Sequence, residues 1–570
     1  MKFGSITVQE LQTEVLVLGS GGAGLLAAIH AHDGNPTDRV MVVTKGLLGK
    51  SGCTRMVQGG YNVALSEGDS IEAHFRDTIE GGKWINDQEL AWTLVSKAPD
   101  RVRELEIRHG CFFDRNPDGS IHQKAFAGQT FDRSVHKGDL TGIEIMNRLA
   151  EQIRARPIDI LEEHRAIDLI PTADRQRIAA VLLLDIQSGT FKLVQCQAVI
   201  IATGAGPTMY KFHTPSADKS CDGLAIALRA RLSLRDMEMI QFHPTGLLAG
   251  TDTRITGTII EEGLRGAGGH LIDNSGRRFM LDYDPRAERA TRDVVSRAMF
   301  EQMRNGATGP NGGVFISMAH LDSESVRRQF KGMVKRCADI GLDLVTSPIE
   351  VTPSAHYIMG GIQINTDCST SLTGVFAAGE DTGGVHGSNR LGGNGVGNST
   401  VFGGIAGDTV ASWVIANGEF AEPDRTLIQA TLEQALAPFD HPSGDLNEVR
   451  ETLYEIMWEH AGILRSINSL DRAETELFDL SRKLEETGLE SHSHAFNLSW
   501  HDYLNLRNQI LVSQAIVTAA KTRSDSRGAH YLIDNPHTEP LEESRYTRVT
   551  LGETKINAET VAVTFTRMQP

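Results

Sequence analysis

Short apolar runs broken by glycine turns open the chain. Glu14–Gly19 (EVLVLG) reads as a strand, Leu25–Ala31 as the opening of a helix, and Val40–Thr44 (VMVVT) as a second strand. Gly19, Gly21 and Gly24 between them form GxGxxG, where bare glycines and a helix N-terminus suit a pyrophosphate. Ala198–Gly206 (AVIIATGAG) repeats the pattern of a buried strand ending in a glycine turn. From Leu247 to about Val351 the pattern changes to mixed loops and charged helical stretches such as Asp322–Cys337. Gly374–Asp381 (GVFAAGED) is again a strand and turn, so the middle segment is expected to be an inserted cap. Helical periodicity runs from about Ala421 to Leu541, as in Asn505–Lys521, and Arg545–Arg567 alternates like strands around Gly552-Glu553. The expected fold is α/β. A Rossmann-like dinucleotide domain spans 1–246 and 352–420, with an α+β cap at 247–351, a helical domain at 421–541 and a short β-rich tail at 542–570.

Composition narrows the function classes. With 40% hydrophobic and 23% charged residues over 570 positions, this is an ordinary globular chain. A net charge of -17 without a basic stripe argues against general nucleic-acid binding, while leaving room for a local basic pocket. The six cysteines, Cys53, Cys111, Cys196, Cys221, Cys337 and Cys368, are scattered with no CxxC spacing. No metal site or iron–sulfur cluster is expected from them. The first residues run straight into a strand without signal-peptide features, and no apolar run is long enough to span a bilayer. A cytoplasmic location is expected, with membrane contact only through partners.

Two motifs carry the chemistry, QFHPTG at Gln241–Gly246 and HGSNRLGGN at His386–Asn394. In the second, Arg390 offers a fork of donors suited to a carboxylate. Thr44-Lys45 stands where a nicotinamide fingerprint has its acidic residue, which disfavours that cofactor. EEGLRGAGG (Glu261–Gly269), TRDVVSR (Thr291–Arg297), AHYIMGG (Ala355–Gly361) and NRLGGN (Asn389–Asn394) complete an ordered set. From the first strand to Ser526–His530 (SRGAH), the chain resembles the flavoprotein subunit of succinate dehydrogenase and fumarate reductase, a family that includes L-aspartate oxidase.

The resemblance implies an FAD domain interrupted by a mobile cap, a small dicarboxylate substrate and, for electron exchange, a separate iron–sulfur subunit. It implies that Arg390 grips one carboxylate and that His243 and His356 donate to the carboxylates. Arg292 would exchange a proton at one substrate carbon while hydride passes between flavin N5 and its neighbour, with Glu262 and Arg265 relaying the proton. Phe126, in AFAGQT, matches the aromatic that packs on the dicarboxylate, where aspartate oxidases have an acidic residue. The implied cofactor set is Gly19, Gly21, Gly22 and Gly24 at the pyrophosphate and Thr44 and Lys45 near the adenosine. Asp222 and Glu380 would meet hydroxyls of FAD, and Ala202 and Gly204 would close over it. Cys53, Thr54, Gly59, Gly60 and Asn394 complete the set.

Three positions depart from the family. Cys53 stands where respiratory members attach FAD through a histidine, so noncovalent FAD is expected, with a thioether from Cys53 as the alternative. The missing histidyl link tilts the expectation towards fumarate reduction. Glu261 replaces a threonine that donates to the distal carboxylate. Either it turns towards a cation of the cap, or the substrate is altered, such as a substituted succinate. Arg231 stands where glycine is common, and nothing in the sequence explains it. A stand-alone oxidase like L-aspartate oxidase is disfavoured by Phe126, and a noncatalytic electron-transfer or tRNA-binding flavoprotein by the retained His243, Arg292, His356 and Arg390.

Overall fold

The structure is a computed structural model that describes residues 1–4, 6–250, 255–553 and 555–570. Thr251–Arg254, within the expected cap, and Thr554, within the expected tail, lie outside the described residues. The main sheet has eight strands and is built around Ile6–Leu18. Val40–Val43 and Phe191–Ile201 flank that strand in parallel, and Asp159–Leu161 and Val375–Ala377 extend the parallel set. Ile178–Asp185 and His164–Pro171 add an antiparallel edge. The strands are apolar on both faces because helices cover both, as a parallel sheet requires. The first strand begins eight residues earlier than its apolar run suggests, since Gln9, Gln12 and Thr13 also pair with Phe191–Ile201.

Close backbone approach dictates the glycines here. A Cβ on Gly19, at φ 111°, would lie 2.2 Å from the Ala202 carbonyl oxygen, and one on Gly24 would lie 2.0 Å from that of Gly19. Helix Gly22–Gly34 therefore seats directly on the sheet, with its N-terminus beside the Ala202 turn. Helix Asn394–Asn417 crosses it through Gly403 and Gly407, whose added Cβ atoms would come within 2.5 Å and 2.4 Å of the Ala23 and Ala27 oxygens.

Strands Ile240–Leu247 and Ile349–Ile358 pair antiparallel and lead out of this domain into a second hydrophobic core between Leu247 and Val351. Val314–Ser317 and His270–Ile272 complete that sheet, and helix Arg292–Arg304 packs on it. The register shifts between His243 and Gly246, so the strand is bulged at the histidine motif. Asp322–Cys337 is two helices, Ser323–Gln329 and Lys331–Ala338, broken at the buried Phe330.

The C-terminal third holds helices Arg425–Leu436, Leu446–His460, Ile467–Glu485 and Leu498–Thr522. Helix ends at Thr522, so the expected helical segment is too long. The residues that follow brace the Arg390 loop instead, with Ala529 N–H donating to the Ser388 carbonyl at 2.9 Å. The tail is not a separate unit. Its hairpin Arg545–Leu551 and Ile556–Ala562 adds to Leu234–Arg235 and Gly361–Ile362 in one sheet. Arg231 is explained by the structure. It sits at φ 67°, where glycine is least strained, and its guanidinium holds the Leu551 and Gly552 carbonyls of that hairpin.

Substituting Gly407→Val forces a side chain into the Ala27 backbone and is expected to destabilise the protein by about 1–3 kcal/mol. Gly266→Ala, whose methyl meets nothing within 4 Å, should leave the unfolding midpoint unchanged; thermal denaturation of both variants checks the contrast.

Candidate active site

A cavity of about 520 Å³ runs between the dinucleotide domain and the cap. Gly21, Gly22, Cys53, Thr54, Gly59, Gly60, Ala202, Gly204 and Glu380 line one part, and Phe126, His243, Glu262, Arg292, His356 and Arg390 the other. Thr44, Lys45, Gly19 and Asp222 line a smaller polar pocket beyond Gly21.

The cap supplies a chain of charges. Arg292, the first residue of its helix, donates from Nη2 to Glu262 Oε2 at 2.5 Å, and Arg265 Nη2 donates to Glu262 Oε1 at 3.3 Å. Arg265 Nη1 continues to the Glu288 carbonyl at 2.8 Å. Burial would raise the Glu262 carboxyl, but Arg292 and Arg265 hold it down at about 2. Gln241 was not among the expected site residues, yet it ties the two halves together. Its Oε1 accepts from Arg292 Nη1 at 2.9 Å, and its Nε2 donates to the Arg390 carbonyl at 2.7 Å. Its place at the head of QFHPTG was the only sequence signal.

Arg390 is 6% exposed and has no carboxylate partner among the described residues. Its guanidinium lies 4.5 Å from the Tyr357 ring centroid, Nη1 reaches only the Leu391 carbonyl at 3.3 Å, and Nε is unpartnered. Desolvation and then Arg292 pull its pKa down to about 10, so it stays charged at neutral pH. His243 and His356 stand with ring centroids 5.4 Å apart. Burial first, and then Arg292 with neighbouring positive groups, push both well below the usual imidazole range. The Thr245 N–H reaches His243 Nδ1 at 3.3 Å, so Nδ1 accepts and the neutral ring carries its proton on Nε2. His356 Nδ1 pairs with Thr214 Oγ1 at 2.7 Å. Phe126 lies between two glycines. A Cβ on Gly59 would meet its ring at 2.5 Å, and one on Gly392 at 3.3 Å. The arrangement is a neutral-donor and guanidinium site with surplus positive charge.

The FAD binding domain family matches residues 14–396, and the fumarate reductase flavoprotein C-term family residues 450–570. The chain belongs to the fumarate reductase and succinate dehydrogenase flavoprotein family. An uncharacterized FAD-dependent oxidoreductase of Methanocaldococcus jannaschii is 39% identical over 93% of this chain and 94% of its own. A subunit of the CoM/CoB fumarate reductase of Methanothermobacter marburgensis is 37% identical over 93% and 95%. FrdA of the Escherichia coli quinol fumarate reductase superposes with a TM-score of 0.92 at 28% identity, covering 99% of this chain and 98% of that one.

As a member of this family the chain is an FAD-dependent oxidoreductase, and its residues fit the cofactor. Helix Gly22–Gly34 has no side-chain N-cap, so its first N–H groups face the cavity free for phosphate, apart from Gly22 N–H on Thr54 Oγ1. Helix Asn394–Asn417 is likewise uncapped, with Gly393 and Gly395 on the cavity wall. Glu380 is raised to about 7, by burial first, with Lys219 opposing. Lys219 and Arg165 were not expected. Lys219 borders both cavities, and Arg165 fixes Asp222 at 2.7 Å.

Two expected cofactor contacts are placed otherwise. Asn394 turns away from the cavity, accepting from Asn62 Nδ2 at 2.9 Å and donating to Thr78 Oγ1 at 3.2 Å, with His74 Nε2 3.1 Å from its Oδ1. Gly24 serves helix packing rather than lining the cavity. Asp222 is saturated by Lys45 at 2.8 Å, Arg165 and Asn508. The cations overcome its burial and hold it far below the usual carboxylate range. Among the described residues no helix is long and apolar enough to cross a membrane.

His243, His356, His386 and His530 are all held neutral by burial. The unfolded chain binds protons at these histidines below about pH 6.5 while the folded chain does not, so stability falls as pH drops through that range. Each contributes a loss of about 1.4 kcal/mol per pH unit at most. Unfolding midpoints recorded from pH 7.5 to 5 should decline steeply, and His530→Asn should flatten the slope.

Proposed function

We propose that this chain is the catalytic FAD subunit of an enzyme interconverting fumarate- and succinate-type dicarboxylates, passing electrons to or from a separate iron–sulfur subunit. The observation that carries this reading is Arg390, a buried guanidinium facing the cavity with no carboxylate partner among the described residues. An isolated buried charge costs several kcal/mol, and a substrate carboxylate offsets that cost in a bidentate pair. His243 Nε2–H and His356 add neutral donors that bind an anion without a proton of their own to lose.

FAD, bound along the glycine turns, supplies hydride exchange with one substrate carbon. At the neighbouring carbon Arg292 holds the proton. A guanidinium does not release a proton to water, but it can do so to a carbanion when another proton is passed back to it. Glu262, 2.5 Å from Arg292 and 3.3 Å from Arg265, passes that proton from Arg265 to Arg292, and Arg265 regains one from solvent. Phe126 packs the substrate and excludes water. Relatives named fumarate reductase support the direction of the reading, and L-aspartate oxidase is also among the relatives; Phe126 in place of an acidic residue favours the former.

The flavin is read as noncovalent. Burial pushes the Cys53 thiol up to about 12, with Lys219 only partly opposing, so little thiolate forms. The six cysteines are all free and hold no cluster spacing, which is why the electrons are assigned to a partner. The protein is read as cytoplasmic, reaching a membrane only through such partners.

Fumarate reduction with a reduced viologen dye tests the assignment. Arg292→Gln and Glu262→Gln are expected to lower kcat by about 10²–10⁴-fold while keeping bound FAD, and Arg390→Gln should chiefly raise KM. Acid precipitation should leave a colourless pellet; yellow protein would mean a covalent flavin.

A further inference from the structure

The cavity also carries a carboxylate that no described residue pairs, and different charged groups surround it from those around Arg390. Glu261 precedes Glu262 on the loop into the short helix Gly263–Gly266, and its side chain lines the same cavity. Among the described residues its carboxylate makes no hydrogen bond or ion pair. The expected turn towards a cation of the cap is therefore not made. Lys124 Nζ is committed to the Gly138 carbonyl at 3.0 Å, and Arg336, on helix Lys331–Ala338, lies against the Gln58 side-chain amide, which accepts from it when the amide is turned to present its oxygen. Lys124, Asp139 and Arg336 are the charged groups that face it, while Arg390 faces Arg292, Glu380 and Glu262. The surroundings of Glu261 and Arg390 are thus electrically distinct. Neutral His243 and His356 and the Arg292–Glu262 pair line the same cavity. Burial raises the Glu261 carboxyl above its usual range, with Lys124 and Arg336 opposing and Asp139 adding to the rise.

An ionised Glu261 without a partner repels a substrate carboxylate brought beside it, so a dicarboxylate is accepted there when Glu261 is neutral. An ionised Glu261 instead suits a monoanion whose other end donates hydrogen bonds. Resting on the dicarboxylate reading above, we infer that Glu261 makes dicarboxylate binding proton-linked and, at alkaline pH, favours acids whose end remote from Arg390 is an uncharged donor such as a carboxamide. On binding a dicarboxylate, Glu261 takes one proton from solvent and donates it in a hydrogen bond to the substrate carboxylate. A carboxamide instead donates its N–H to the ionised Glu261, and no proton is taken up.

The experiment is calorimetric titration of the full-length, FAD-loaded chain with succinate and with succinamate, from pH 6 to 9, in buffers of different ionisation enthalpy. Succinate is expected to take up about one proton at alkaline pH, its Kd rising about tenfold per pH unit above the Glu261 pKa. Succinamate should show a flat profile without uptake. Glu261→Gln and, as a second variant, Glu261→Thr should each abolish the uptake and flatten the succinate profile, with the flavin spectrum confirming folding. Succinate binding without proton uptake in the wild type, or uptake that persists in both variants, overturns the inference alone. Failure of both acids to bind overturns the dicarboxylate reading together with it.

Discussion

The rest of the site depends on one electrostatic constraint: three guanidinium groups share a buried space with a single paired carboxylate. Glu262 neutralises one charge, bridging Arg292 and Arg265, and Arg390 has no carboxylate partner among the described residues. In a low-dielectric interior such a surplus is costly, and it lowers the proton affinity of every neighbour. Burial first and then this surplus keep His243 and His356 neutral and pull Arg390 down, while Glu262 remains ionised despite its burial. The site is thereby poised for an anion before one arrives.

The two halves of the molecule divide this chemistry. The cap carries the hydrogen-bonded charges of Arg292, Glu262 and Arg265, while the dinucleotide domain carries Arg390 on a loop braced by the segment after Thr522. Gln241, on the strand that crosses between them, joins Arg292 to the Arg390 backbone. Relative movement of the halves would separate the proton from the carboxylate grip, which is the sense in which a closing cap completes such a site. The bulge at His243 turns the histidine motif to face that junction.

Much of the nucleotide side was legible in the chain because backbone approach leaves only glycine as a choice. Gly19 must pass within contact of Ala202, and Gly403 and Gly407 must let one helix cross another. The motifs made legible which side chains gather in one cavity, His243, Glu262, Arg292, His356 and Arg390 among them. Contacts that depend on where a side chain turns were not. Asn394 belongs to a buried polar cluster with Asn62, His74 and Thr78, although its motif points to the cofactor. Lys219 and Arg165 lie in no motif that was singled out, and each gains its place only because distant strands bring Glu380 and Asp222 to it. Helical periodicity overran at Thr522 because the segment beyond it buries polar residues against the Arg390 loop rather than an apolar stripe.

By itself, the sequence determined the glycine-turned dinucleotide domain, the inserted cap and the residue types of the site, since each is written in local spacing and backbone demands. Only the tertiary structure decided which charges are paired. Ionisation is set by burial and by neighbours from distant segments, so the freedom of Arg390, the anion of Glu262 and the unpaired carboxyl of Glu261 could not be read along the chain.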